Sequence, residues 1–108
     1  MSGFDDVNFT YAQTGLTANY TVTANDFVIA WTAAGGAFNV TLPAASAALA
    51  GRMYLLVQTA SSTNQVTVKT AGGTINGMAG GTGVAQTASK IGLAWAVCDG
   101  TNWWMEPI

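Results

Sequence analysis

Short strand-like stretches follow one another along most of the chain. In the run from Phe38 to Leu42 apolar and polar residues alternate, which places Phe38, Val40 and Leu42 on one face of a strand. Only the alanine-rich stretch after Pro43 is suited to one or two helical turns. Similar strand-like stretches, separated by glycine, asparagine, aspartate or serine, cover residues 7–11, 20–24, 27–32, 53–59, 66–68, 91–98 and 103–106. The pattern predicts an all-β fold.

With 108 residues, the chain has the length of one domain. About eight short strands and at most one short helix near residues 44–50 predict a small antiparallel β-sandwich or barrel, which includes a jelly-roll-like arrangement. We expect residues 1–17 to form an N-terminal arm or first strand and residues 18–108 a single β-domain. The glycine-rich stretch over 72–83 fits either a loop or short strands, with Ile75 as the buried anchor.

Three pairs of neighbouring strands are predicted to form hairpins. Residues 27–32 would pair with 38–42 across a Gly-Gly turn, and residues 53–59 with 66–68 across a polar turn. The final pair surrounds Asp99-Gly100, a dipeptide typical of two-residue hairpin turns.

Charge is scarce in this chain. Only 7% of the residues are charged, against about 25% in an ordinary soluble domain. The net charge of −2 is too weak to attract nucleic acid or an anionic membrane. No apolar run approaches the ~20 residues of a membrane-spanning helix, and the first residues do not resemble a secretion signal. The sequence therefore predicts a protein synthesised and kept in a cytoplasm, whose surface other protein subunits cover.

Residues suited to catalysis are missing. Without histidine, a Ser-His-Asp or Cys-His site is impossible. Cys98 is the single cysteine and is predicted to be buried, so a cysteine-rich zinc site is excluded. Asp5, Asp6 and Asp26 would hold a cation only if the fold brought them together, and the glycine run over 77–83 lacks the lysine of a phosphate-binding loop. We expect no catalytic residue, no cofactor and no metal, and hence no enzyme.

Four tryptophans remain to be explained. Trp103 and Trp104 are consecutive in a strand, so one points into the core and the other outward. Trp31 and Trp95 lie in apolar strands and are predicted to be core residues. For the outward tryptophan of the final pair we favour a subunit interface over coverage by its own chain or a sugar-stacking platform. The interface candidates are Phe4, Phe9, Tyr11, Trp103 and Trp104.

A series of turn and core motifs runs through residues 18–105. In chain order they are Leu42-Pro43-Ala44-Ala45, Gly51-Arg52-Met53-Tyr54, Asn64-Gln65-Val66-Thr67-Val68, Gly73-Thr74-Ile75-Asn76-Gly77 and Asp99-Gly100-Thr101-Asn102-Trp103. This order resembles a β-module of tailed-bacteriophage structural proteins, found at the distal ends of tail fibres and in small head-decoration proteins.

The resemblance implies a virion component that is commonly trimeric and has no enzymatic residues. A fibre module normally ends a long chain, whereas this one begins at Met1, so we expect a capsid decoration, or cement, protein on the capsid surface. It would bind the major capsid protein as a homotrimer and stabilise the assembled head, with residues 2–11 as an arm. The alternatives are a tail fibre or spike tip recognising a host surface glycan, and a minor tail or baseplate subunit.

Overall fold

The computed structural model describes residues 12–108, which form eleven short strands and a lone 3-10 turn at Ala47–Leu49. The strands are β1 (Ala12–Leu16), β2 (Tyr20–Thr21), β3 (Val28–Trp31), β4 (Phe38–Leu42), β5 (Met53–Gln58), β6 (Val66–Thr70), β7 (Thr74–Ile75), β8 (Met78–Ala79), β9 (Val84–Ala85), β10 (Gly92–Cys98) and β11 (Trp103–Met105). No α-helix occurs in this range. The all-β prediction is confirmed.

Two sheets face each other as a sandwich. The seven-stranded sheet has the order β1-β3-β5-β10-β11-β7-β8, and the four-stranded sheet the order β2-β4-β6-β9. The first six strands alternate between the two sheets, so β1, β3 and β5 run parallel in one and β2, β4 and β6 run parallel in the other. The antiparallel pairs all include a later strand: β6 pairs with β9, β7 with β8, and β10 with both β5 and β11. The sheets are therefore mixed and not purely antiparallel.

One of the three predicted hairpins is confirmed. β10 and β11 pair across the turn that begins at Asp99, with Cys98 opposite Trp103. The other two predictions are wrong, because β3 and β4 lie in different sheets and so do β5 and β6. The turn over 33–37 carries the chain across the sandwich, so β3 pairs with β1 and with β5, where Ala30 lies opposite Val57. Residue alternation looks the same in both arrangements, because it reports which face is buried and not which strand is the neighbour.

The core lies between the two sheets. Ile75, the predicted anchor of the glycine-rich stretch, is fully buried, and so is Cys98, as predicted. Only glycine fits at position 83, where φ is +73° and a Cβ atom would clash with the carbonyl oxygen of Val68. The other large, fully buried side chains that share this core include Ile29, Trp31, Val40, Leu42, Tyr54, Leu56, Val66, Val68 and Trp103.

Two buried glutamines connect loops to this core. Gln58 accepts a hydrogen bond from Trp31 Nε1 at 3.0 Å and donates through Nε2 to the carbonyl oxygens of Thr87 at 2.7 Å and Lys90 at 2.6 Å. Gln86 Oε1 accepts the backbone N–H of Ile108 at 2.7 Å. Every buried side-chain polar atom found in residues 12–108 has a partner. The Gln58 bonds hold the loop before β10 against β5, and the Gln86 bond holds Ile108.

Candidate interaction surface

The two outer faces of the sandwich differ in chemistry. The four-stranded sheet turns polar side chains outward on β2, β4 and β6, where threonine alternates with the buried apolar residues. This is the usual composition of a sheet face in contact with water. Its outward residues are Thr21, Asn39, Thr41, Thr67 and Lys69.

The outer side of the seven-stranded sheet is apolar. In β10 the outward residues are Leu93, which is 60% exposed, Trp95, which is 42% exposed, and the partly buried Val97. They lie opposite three outward residues of β5, so the side chains form one continuous patch. We call the whole set the outer apolar face; its members are Phe27, Met53, Leu55, Val57, Leu93, Trp95, Val97 and Trp104.

Contacts between neighbouring strands join the members of the outer apolar face. The rings of Phe27 and Trp95 have centroids 5.7 Å apart, and Trp95 lies opposite Leu55 in the ladder. Val97 lies between Met53 on β5 and Trp104 on β11. The patch therefore continues from the residue before β3, across β5 and β10, to β11.

Charged groups border the outer apolar face. Lys90 and Glu106 line a shallow groove of about 300 Å³ together with Leu93 and Trp95. Asp99 lies beside Trp104, whose Nε1 donates to its carboxylate at 2.8 Å. Backbone N–H donors, followed by this indole, hold the pKa of the Asp99 carboxyl below its usual range.

The structure assigns each tryptophan to a side of its sheet. Trp104 points outward and is 46% exposed, whereas Trp103 is fully buried and donates through Nε1 to the Pro43 carbonyl at 2.8 Å. The prediction that these neighbours point in opposite directions is confirmed, and Trp104 is the one available to a partner. Trp31 is in the core, as predicted.

The prediction that Trp95 is a core residue is wrong. β10 carries apolar residues on both sides, so its sequence does not show which set is buried. The small residues Ala94 and Ala96 face the core, and Leu93 and Trp95 face outward. Sequence reasoning therefore missed the outer apolar face, apart from Trp104.

The other interface candidates, Phe4, Phe9 and Tyr11, lie outside the described residues, as do Asp5 and Asp6.

A separate polar cluster surrounds Asp26 at the loop before β3. The buried carboxylate accepts hydrogen bonds from the Tyr20 hydroxyl at 2.6 Å and from the Thr23 backbone N–H at 2.8 Å. Arg52 donates to the backbone carbonyls of Ala24 and Asp26. Burial, followed by the hydrogen bond to Asp26, raises the pKa of Tyr20 to about 12. Because these groups bind one another, the cluster stabilises the loop.

Two kinds of feature are absent from residues 12–108. These residues contain no group of three or more acidic, cysteine or histidine side chains placed to hold a metal ion. Nor do they contain a helix long and apolar enough to cross a membrane.

Comparison with protein-family models, with curated proteins and with solved structures gave no match for this chain. A function for this chain must therefore be inferred from its own residues and surfaces.

Proposed function

We propose that this chain is a structural protein of a tailed-bacteriophage virion, a capsid decoration protein that binds the assembled head as a homotrimer and stabilises it. The outer apolar face is the observation that carries the proposal. One side of the sandwich has the chemistry of a surface in water, and the other has the chemistry of a surface covered by protein.

The size of the outer apolar face supports a protein partner. The largest apolar patch on a typical soluble monomer is about 300–600 Å² and is often functional. Eight neighbouring apolar side chains that include two tryptophans form a patch of that order. Tryptophan is also enriched among the residues that carry most of the binding energy in protein interfaces.

The mechanism we propose is adhesion. The sandwich measures 45 × 29 × 19 Å, and buried glutamines donate to the loop before β10 and accept from Ile108, so each copy is a stiff slab. A trimer of such slabs would connect neighbouring subunits of the major capsid protein and resist their separation. Residues 2–11, with the aromatic Phe4 and Phe9, would form the arm that contacts the capsid lattice.

Deletion of residues 2–11 is expected to weaken capsid binding about tenfold or more, because the arm would supply aromatic anchors. Co-sedimentation with purified capsids encoded in the same genome, prepared without this chain, measures the binding. The mass of the truncated protein in solution serves as the control and should still be that of a trimer. Unchanged binding would show that the arm does not contact the capsid, and a full-length chain that binds no capsid would refute the proposed function.

A second candidate function is recognition of a host surface glycan by a tail fibre or spike tip. The groove beside Trp95 favours it, because an exposed indole flanked by Lys90 and Glu106 combines a stacking surface with polar groups. A glycan array probed with the unaltered chain and with Trp95→Ala tests this role. Binding to sugars but not to capsids would replace our first proposal. Density for the chain in the tail or baseplate of a virion map would instead identify it as a minor tail or baseplate subunit.

A further inference from the structure

We infer that the outer apolar face is covered by the outer apolar faces of other copies of this chain, arranged around a cyclic axis. The inference rests on the proposed structural role, since it names the partner of the surface on which that role depends. It assigns self-association to particular residues and leaves the capsid contact to another part of the chain.

The sheet edges are poor sites for pairing with a second copy. β1 is the only edge strand longer than two residues among residues 12–108, and its register shifts between Gln13 and Leu16, where Gly15 has a φ of +67°. The other edge strands, β2, β8 and β9, have two residues each. Short or irregular edges discourage edge-to-edge pairing. Association through a sheet is therefore expected at its open face.

The distribution of charge favours another copy of the same chain. None of the eight side chains of the outer apolar face is charged, so the face offers nothing for a charged partner to complement. Lys90 and Glu106 line one groove at its border. In a cyclic arrangement with the strands parallel to the axis, the Lys90 of each copy can approach the Glu106 of its neighbour. The surfaces of identical copies would therefore be complementary, with apolar side chains in contact at the centre and Lys90 near Glu106 at the rim.

The available area is sufficient for a stable interface. A standard protein interface buries about 800 Å² on each partner. Two sheets stacked about 10 Å apart account for the shortest dimension of the slab, 19 Å, so the outer apolar face lies on a broad side of 45 × 29 Å. That side as a whole exceeds the required area, with the outer apolar face across β5, β10 and β11 as its apolar centre and the residues around it as the rim.

The inference is tested by Leu93→Lys, which places an ammonium group on the outer apolar face. Light scattering of the unaltered chain should give three times its mass of 11.0 kDa. For Leu93→Lys we expect the monomer mass, because burying an unpaired charge between copies is strongly unfavourable. The matched control is Asn39→Lys, an outward position on the polar face of the other sheet, which should leave the trimer intact.

Circular dichroism must show that the variants are folded. If Leu93→Lys does not fold, Trp95→Thr repeats the test, and its expected mass is again that of the monomer. An unaltered chain that is monomeric at micromolar concentration, or a folded Leu93→Lys variant that stays trimeric, would overturn the inference. Capsid binding separates the two proposals. A monomer that still binds capsids would leave capsid decoration standing without the homotrimer and without this interface. A trimer that binds no capsid would leave this interface standing without capsid decoration.

Discussion

Replacing Trp103 with alanine is expected to lower the free energy of unfolding by about 3–5 kcal/mol, the usual cost of emptying a large aromatic site in a core. The indole is fully buried, and its centroid lies 5.7 Å from that of Tyr54. The substitution also removes the hydrogen bond from Trp103 Nε1 to the Pro43 carbonyl. Urea denaturation measures the loss. The Leu93→Lys background is suited to it, since association would otherwise add to the apparent stability.

The adjacent residue provides the control for this prediction. Trp104 belongs to the same strand and is 46% exposed, so Trp104→Ala in the same background should cost less than about 1 kcal/mol. The pair compares one side-chain type on the two faces of one strand. Equal losses at the two positions would contradict the assignment of Trp103 to the core and Trp104 to the surface.

Gln58→Glu is the second substitution for which we expect a large effect, about 3 kcal/mol or more of lost stability at pH 7. The Gln58 amide is 1% exposed and donates to backbone carbonyls of the loop over 87–90. A carboxylate of the same shape cannot donate, and it would bring a negative charge towards those carbonyl oxygens. The loop would lose its anchor to β5.

The pH dependence of the stability of Gln58→Glu tests whether the introduced carboxylate causes the loss. Protonation of the introduced carboxyl removes its charge and restores one donor, so the loss of stability should shrink as the pH falls from 7 towards 4. Gln65→Glu, at an exposed position, makes the same chemical change and should alter stability by less than about 0.5 kcal/mol. A Gln58→Glu protein as stable as the unaltered chain at pH 7 would refute this role for the amide.

Local features of the fold could be predicted from the sequence, but strand pairing could not. The strand Phe38–Leu42 and the hairpin after Cys98 are as expected, because alternation and an Asp-Gly turn are local signals. The crossing of the chain from β3 to β4 and from β5 to β6 depends on strands that are distant in sequence. A Gly-Gly turn suits both a hairpin and a connection between sheets, so the sequence does not distinguish them.

The candidate interaction surface could likewise be predicted only in its local features. The opposite directions of Trp103 and Trp104 follow from strand geometry, and the structure only decides which of them is outside. The prediction for Trp95 is wrong because both sides of β10 are apolar. The near-absence of charge indicated a surface covered by protein. The structure shows exposed apolar side chains on one sheet and outward threonines on the other.

The most direct test of this account compares the oxidation of two methionines in the unaltered protein. Met53 and Met78 are 40% and 39% exposed in the single chain, but Met53 belongs to the outer apolar face, whereas Met78 lies on β8 at the opposite edge from β1. Mass spectrometry after brief exposure to hydroxyl radicals gives both rates. If other copies cover the outer apolar face, Met53 will oxidise several-fold more slowly than Met78, and the difference will disappear in the Leu93→Lys monomer. Equal rates in the unaltered protein would contradict the central claim that this face is buried against protein.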